Sequence, residues 1–235
     1  MKILTWNCCR AFRTKTEVIL AHKPDILIIP ECENLERLSY GLFIQPSDSI
    51  WYGDLPTKGI GVFTFNGFRI KLLDIHNPEF KYILPLLIFN DHVNYTVLAV
   101  WAQKTKNHYF YTEHVWHALQ HYQQLLEGEN VIIAGDFNSN TFWDRPKEII
   151  NHTAIVEFLK QKNIISVYHH FHNQIQGKEK HHTFYMYKKK EQPYHLDYCF
   201  ASNNLIEKLI DFEVGDFETW GKQSDHVPLM VTFEL

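Results

Sequence analysis

No apolar run in the 235-residue chain approaches the roughly 20 residues that a membrane-spanning helix requires, so a membrane-embedded function is not expected. A secretory leader is also missing. Met1 passes straight into Lys2-Ile3-Leu4-Thr5-Trp6, which reads as a strand, and a cytoplasmic setting is expected. Cysteine is scarce and unpaired in pattern. Cys8, Cys9, Cys32 and Cys199 lie in or beside apolar runs, without the spacing of a disulfide framework, and read as buried free thiols in a reducing compartment. Basic surplus is absent too: 23 Lys and Arg stand against 27 Asp and Glu, a formal net charge of −4. A protein that coats nucleic acid non-specifically gains affinity by releasing phosphate counterions and needs such a surplus. A nucleic-acid substrate would therefore be gripped locally, with a bound metal offsetting an acidic site. No repeat, low-complexity tract or linker divides the chain, so residues 1–235 read as one domain. No apolar hairpin, basic amphipathic stretch or obligate protein partner is evident.

Hydrophobic residues make up 45% of the chain, enough for a substantial core, and 17 Phe, 12 Tyr and 6 Trp favour sheets packed face to face. Strand-like runs recur at 2–6, 25–30, 61–65, 86–89, 95–101, 131–134, 183–187, 196–201 and 229–233. Asn90-Asp91-His92 joins two of them as a hairpin. Val115, Leu119, Tyr122 and Leu126 recur at helical spacing, predicting a helix over 113–126 with Thr112 as N-cap and Gly128 as its end. Further helices are expected at 153–162 and 203–210, with weaker helical character over 14–22. Many strands with few helices fit two packed sheets with helices outside.

Polar groups stand where the core strands end: Trp6-Asn7, Pro30-Glu31, Gly135-Asp136-Phe137-Asn138 and Ser224-Asp225-His226, with Asp197 of His195-Leu196-Asp197-Tyr198 inside a strand. Singly, each has a plainer explanation. Asp136 caps a turn, Glu31 faces solvent, Asn7 is a turn amide, and Asp225-His226 is a surface pair. Neighbours on an extended chain point apart, so Ser224, Asp225 and His226 are no triad by adjacency. Taken together, carboxylates beside apolar strands need a cation, a histidine or several donors, and oxygen ligands suit Mg²⁺ or Mn²⁺ better than zinc.

In this order the segments resemble the endonuclease/exonuclease/phosphatase superfamily, which includes deoxyribonuclease I and exonuclease III-like proteins, and the likeness runs from first strand to last. The resemblance implies an α+β fold, a four-layered αββα sandwich of two mainly antiparallel sheets. It implies Glu31 as principal metal ligand, with Asn7 and Asp225 completing the site for Mg²⁺ or Mn²⁺. Asp136 would hold or deprotonate the attacking water, with Asn138 fixing its geometry. His226 would contact the scissile phosphate, and Asp197 would hold its imidazole.

The chain departs from the pattern in three places. Cys9 and Arg10 stand where relatives often carry Asn or Asp and then Gly; Pro30 replaces a frequent Gln; and Trp101 lies where a Tyr or His is expected. An indole N–H can donate a hydrogen bond but not the proton a phenol or imidazole gives. Trp101, Trp143 and Trp220 are candidate substrate contacts, each equally readable as packing. His169, His170, His172, His181 and His182 lack zinc-site spacing and read as solvated loop residues. Lys188-Lys189-Lys190 reads as a solvated turn or a phosphate grip. The expected activity is a metal-dependent nuclease acting on DNA. A phosphatase or phosphodiesterase for a small or lipid-linked substrate is the alternative, and a non-catalytic binding protein on the same scaffold is less favoured.

Overall fold

A computed structural model describes residues 1–40, 45–105, 107 and 110–234. Its frame is two six-stranded sheets. The first runs β13 (Leu209–Val214), β14 (Leu229–Phe233), β1 (Lys2–Thr5), β2 (Ile26–Cys32), β4 (Lys58–Thr64), β3 (Asp48–Leu55). The second runs β5 (Arg69–Leu72), β6 (Ile83–Phe89), β7 (Asn94–Trp101), β8 (Val131–Asp136), β12 (Asp197–Ser202), β9 (Ile164–Ser166). A two-stranded ribbon pairs β10 (Phe184–Tyr185) with β11 (Pro193–Tyr194). Both large sheets are mainly antiparallel; β1 with β2 and β7 with β8 are the parallel pairs.

Side-chain alternation builds the layers. Ile26 and Ile28 of β2 face Ile132 and Ala134 of β8 across the inter-sheet core. Leu27 and Ile29 point out to Ile19 and Leu20 of α1 (Thr16–Leu20), while Val131 and Ile133 meet Val115, Leu119, Ile155 and Leu159. Those four residues come from α2 (Tyr111–His121) and α3 (His152–Gln161). Strands covered on both faces must be apolar at every position, which is why their sequences run without polar alternation. The result is the αββα sandwich. Short helices α4 (Val167–His172), α5 (Asn203–Ile206) and α6 (Phe217–Trp220) complete it. No helix among the described residues is long and apolar enough to cross a membrane.

Several local expectations are corrected. The Glu113 side chain accepts the Phe110 N–H (3.1 Å), so α2 begins at Tyr111 and Thr112 lies inside it. The helix tightens after His121 into a 3₁₀ turn, Gln123–Glu127, before Gly128. The helix expected over 203–210 stops at Ile206, because Leu209–Val214 pairs with β14 instead. Leu205, Ile206, Leu209 and Ile210 satisfy helical spacing, whereas the alternation that decides the strand begins later. The 183–187 strand shortens to Phe184–Tyr185, with Tyr187 and Lys188 in the left-handed region (φ 56° and 55°). His169, His170 and His172 lie on α4 rather than in a solvated loop, and the largely buried His169 pairs with Glu179 at 3.0 Å. β3 and β5 were not expected: they are edge strands, half exposed and charged, which blunts further pairing.

Candidate active site

At one end of the inter-sheet slot the apolar alternation continues but its residues turn polar. From the first sheet, Asn7 follows Ile3 and Thr5, and Lys58 precedes Ile60 and Val62 on the same inward faces. From the second, Trp101, Asp136 and Asp197 lie side by side in register across β7, β8 and β12. The two sheets touch there directly: Asn7 Nδ2 donates to Asp136 Oδ2 at 2.9 Å.

Asp136 is fully buried and clamped by donors. Asn138 gives its side-chain amide to Oδ2 and its backbone N–H to Oδ1, each at 2.9 Å. Asn138 reaches both because its backbone is left-handed (φ 49°), a conformation Asn tolerates. Gly135 is at φ 142°, and a Cβ there would lie 1.8 Å from the Val100 carbonyl oxygen. Burial raises the Asp136 carboxyl, helped by repulsion from Asp197 and opposed by His226, Asn7 and the Asn138 N–H, and its pKa stands at about 7.

His226 Nδ1 meets Asp197 Oδ2 at 2.8 Å, and both residues are buried. Burial works against the imidazolium, but Asp197 and then Asp136 overcome it and lift His226 to about 10. Asp197 is positioned through its backbone, where the N–H groups of Leu196 and Asp197 donate to Thr183 Oγ1 at 2.9 and 3.0 Å. Ser224 does not act as a nucleophile's hydroxyl in a triad. It donates to the Asn7 carbonyl (2.7 Å) and accepts the His226 N–H (3.0 Å), tying the 224–226 loop to the end of β1. Trp6 Nε1 adds a bond to the His226 carbonyl at 2.9 Å.

The other acids sit at the mouth. A bulge between Pro30 and Cys32 puts Glu31 at φ 60° and turns it out of the regular pairing, a device found beside functional sites. Glu31 Oε1 lies 3.3 Å from Lys58 Nζ, and Oε2 lies 4.0 Å from Arg10 Nε. Asp225 adjoins Cys9, whose thiol is raised by burial, then by Asp225 and Glu31. Cys9, Arg10 and Ala11 are all left-handed (φ 52°, 65° and 51°), and largely buried Lys15 braces this turn by donating to the Cys8 and Arg10 carbonyls. The remaining cysteines are inert: burial raises the thiols of Cys8, Cys32 and Cys199.

Ligand atoms of Asp136, Asp197 and His226 lie within 4.8 Å of one another, close enough to hold a cation. Glu31, Asp225 and Asn7 were expected to be the ligands; their donors are all oxygens, a set suited to a hard divalent ion. Of the three tryptophans, Trp101 and Trp220 are buried, and Trp220 packs edge-on against Trp6 at 5.0 Å. Trp143 alone offers an exposed face, beside Tyr194 at 4.8 Å, on a cavity of about 350 Å³ also lined by Asn140, Glu179 and His195. Sequence reasoning missed Lys58, Lys15 and Thr183, each an ordinary residue until the fold brings it to the site.

No family model matches the sequence, and no curated protein matches it. Solved structures do match in shape. An AP endonuclease from Archaeoglobus fulgidus aligns over 100% of both chains at 17% identity and a TM-score of 0.70. AP endonuclease LMAP from Leishmania major aligns over 100% of this chain and 87% of its own, at 14% identity and a TM-score of 0.74. The 3′ phosphatase NExo from Neisseria, in a structure bound to product DNA hairpin, aligns over 100% of both at 17% identity and 0.69. The fold is the one that these AP endonucleases and the 3′ phosphatase share.

Proposed function

We propose that this chain is a divalent-metal-dependent phosphodiesterase that hydrolyses DNA by in-line attack of water. The observation that carries the reading is the pairing, in one buried cluster, of an amide-clamped Asp136 with the Asp197–His226 dyad. Glu31 and Asp225, with the Asn7 amide, would hold the ion. When bound, it would supply Lewis acidity toward the phosphate.

The chain's own groups divide the remaining work. Asp136, its basicity raised by burial, is placed to accept a proton from water, and the Asn7 and Asn138 amides fix its orientation. His226, at about 10, keeps its positive charge at working pH and offers Nε2 to a phosphate oxygen while Asp197 holds Nδ1. Fixed positive charge in a water-poor site stabilises the charge that develops on phosphate oxygens. Trp143 and Tyr194 supply stacking faces on the cavity that His195 also lines, a feature suited to bases. The DNA-bound 3′ phosphatase among the structural neighbours supports the same substrate. A small phosphoester is the second reading, favoured by the net charge of −4.

The test is hydrolysis of plasmid, duplex, single-stranded and abasic-site DNA, RNA and small phosphoesters, with Mg²⁺, Mn²⁺ or EDTA. DNA cleavage is expected, abolished by EDTA and reduced about 10²–10⁴-fold in Asp136→Asn. Turnover of small phosphoesters alone would select the second reading, and metal-independent turnover would refute both.

A further inference from the structure

We propose that Lys58 contacts the substrate phosphate, and that Glu31 holds its ammonium until a divalent ion claims the carboxylate. The inference rests on the phosphodiesterase reading above.

Lys58 stands where the inter-sheet core becomes the site. Ile60 and Val62, on the same face of β4, are core residues, and Lys58 is the next inward position. Its side chain is 29% exposed, so the stem lines the slot while the ammonium stays within reach of solvent. Two neighbours fix that ammonium: Glu31 Oε1 at 3.3 Å and the Trp101 ring, with its centroid 4.9 Å away. Trp101 is in register with Asp136, so the charge is held one strand away from the proposed base.

The balance of charge gives this group a reason to change partners. Glu31, Asp136, Asp197 and Asp225 crowd one end of the slot around the charged His226, and a phosphodiester adds another negative charge. A divalent ion on Glu31 would remove the reason for the ammonium to stay on that carboxylate. The ring face of Trp101 would still tether it beside the incoming phosphate, because an aromatic face attracts a cation without neutralising it. Buried Trp101 then has a use that needs no proton: it is the platform for a lysine. Arg10, 65% exposed and 4.0 Å from Glu31, is less firmly held than Lys58.

A purely structural ion pair and a phosphate-contacting lysine differ in sign. Lys58→Met keeps the apolar stem and removes the charge that competes for Glu31. Mn²⁺ binding to substrate-free protein, measured by electron paramagnetic resonance, is expected to tighten about two- to fivefold, the scale of an exposed ion pair. Inorganic phosphate binding to the Mn²⁺-loaded protein is expected to weaken about tenfold, and turnover to fall on the order of 10²-fold. Lys58→Arg should restore most of the phosphate binding. Weaker Mn²⁺ binding in Lys58→Met, or unchanged phosphate affinity, overturns the proposal. A wild type that binds Mn²⁺ and phosphate through Lys58 but hydrolyses nothing refutes the phosphodiesterase reading instead, so the two failures are distinguishable.

Discussion

Gly135 admits no side chain. Its positive φ and the 1.8 Å approach of a Cβ to the Val100 carbonyl mean that Gly135→Ala must push β8 away from β7. A loss of about 3 kcal/mol or more is expected in urea unfolding, and an unchanged midpoint would show that the strands can part freely. Glu179 makes a different prediction. Burial opposes its charge, but the His169 bond, the His195 field and the Gly177 N–H lower it from 4.5 to about 2. A depressed carboxyl stabilises the folded state above pH 4.5, and that stability drains as pH falls toward 2. Glu179→Gln should cost on the order of 1–2 kcal/mol at pH 7, where His195 is neutral, with the gap to wild type closing by about pH 2. Asp136, Asn138, Asp197 and His226 were legible at this scale because strand ends that finish in acids are chemically conspicuous. Lys58 was not, since one lysine before a glycine carries no signal until β4 is paired with β2 and its sheet is packed on the one that holds β7.

Among the elements, the strands covered on both faces announced themselves through unbroken apolar runs, and the hairpin through Asn90-Asp91-His92. Asn90 closes that turn by accepting the His92 and Val93 N–H groups at 2.9 and 3.0 Å. The site is built at the other end of these strands, beside Trp101. A four-residue Gly/Ser insertion after Asp91 is therefore expected to cost less than about 1 kcal/mol and leave Mn²⁺ affinity unchanged. The same insertion after Asn138 should abolish hydrolysis, because the amide clamp on Asp136 depends on that loop's left-handed residue. Equal tolerance at both places would contradict the clamp. Illegible elements were those decided by pairing: the edge strands β3 and β5 interrupt their apolar residues with polar and charged ones, and β13 exists because β14 offers it an edge.

For the whole molecule, charge sets the expectation. With a net charge of −4 and only Arg10, Lys58, Lys188 and the charged His226 among the groups described around the site, few phosphates can be neutralised at once. Duplex binding by Asp136→Asn should show a shallow salt dependence, with a slope of roughly −3 or less in log–log form. A slope twice as steep would reveal an extended basic track. Two packed sheets with helices outside were foreseeable from many strand-like runs and few helices, and the four-layer order from the resemblance; the side chain at the slot's mouth that meets Glu31 was not, because sheet-to-sheet contact is written in no local pattern.

The strand that starts the sequence and the one near its end lie side by side, with the Met1 amino group 2.6 Å from the Phe233 carbonyl. Closing that contact joins residues 232 positions apart, so the first sheet cannot be completed until β14 is available to β1. Until then, β1 and β2 form an unfinished template with an open edge. The same proximity lets Met1 and Phe233 be bridged by a short linker and residues 1–233 reopened at Asp91, giving a permuted order of strands on unchanged sheets.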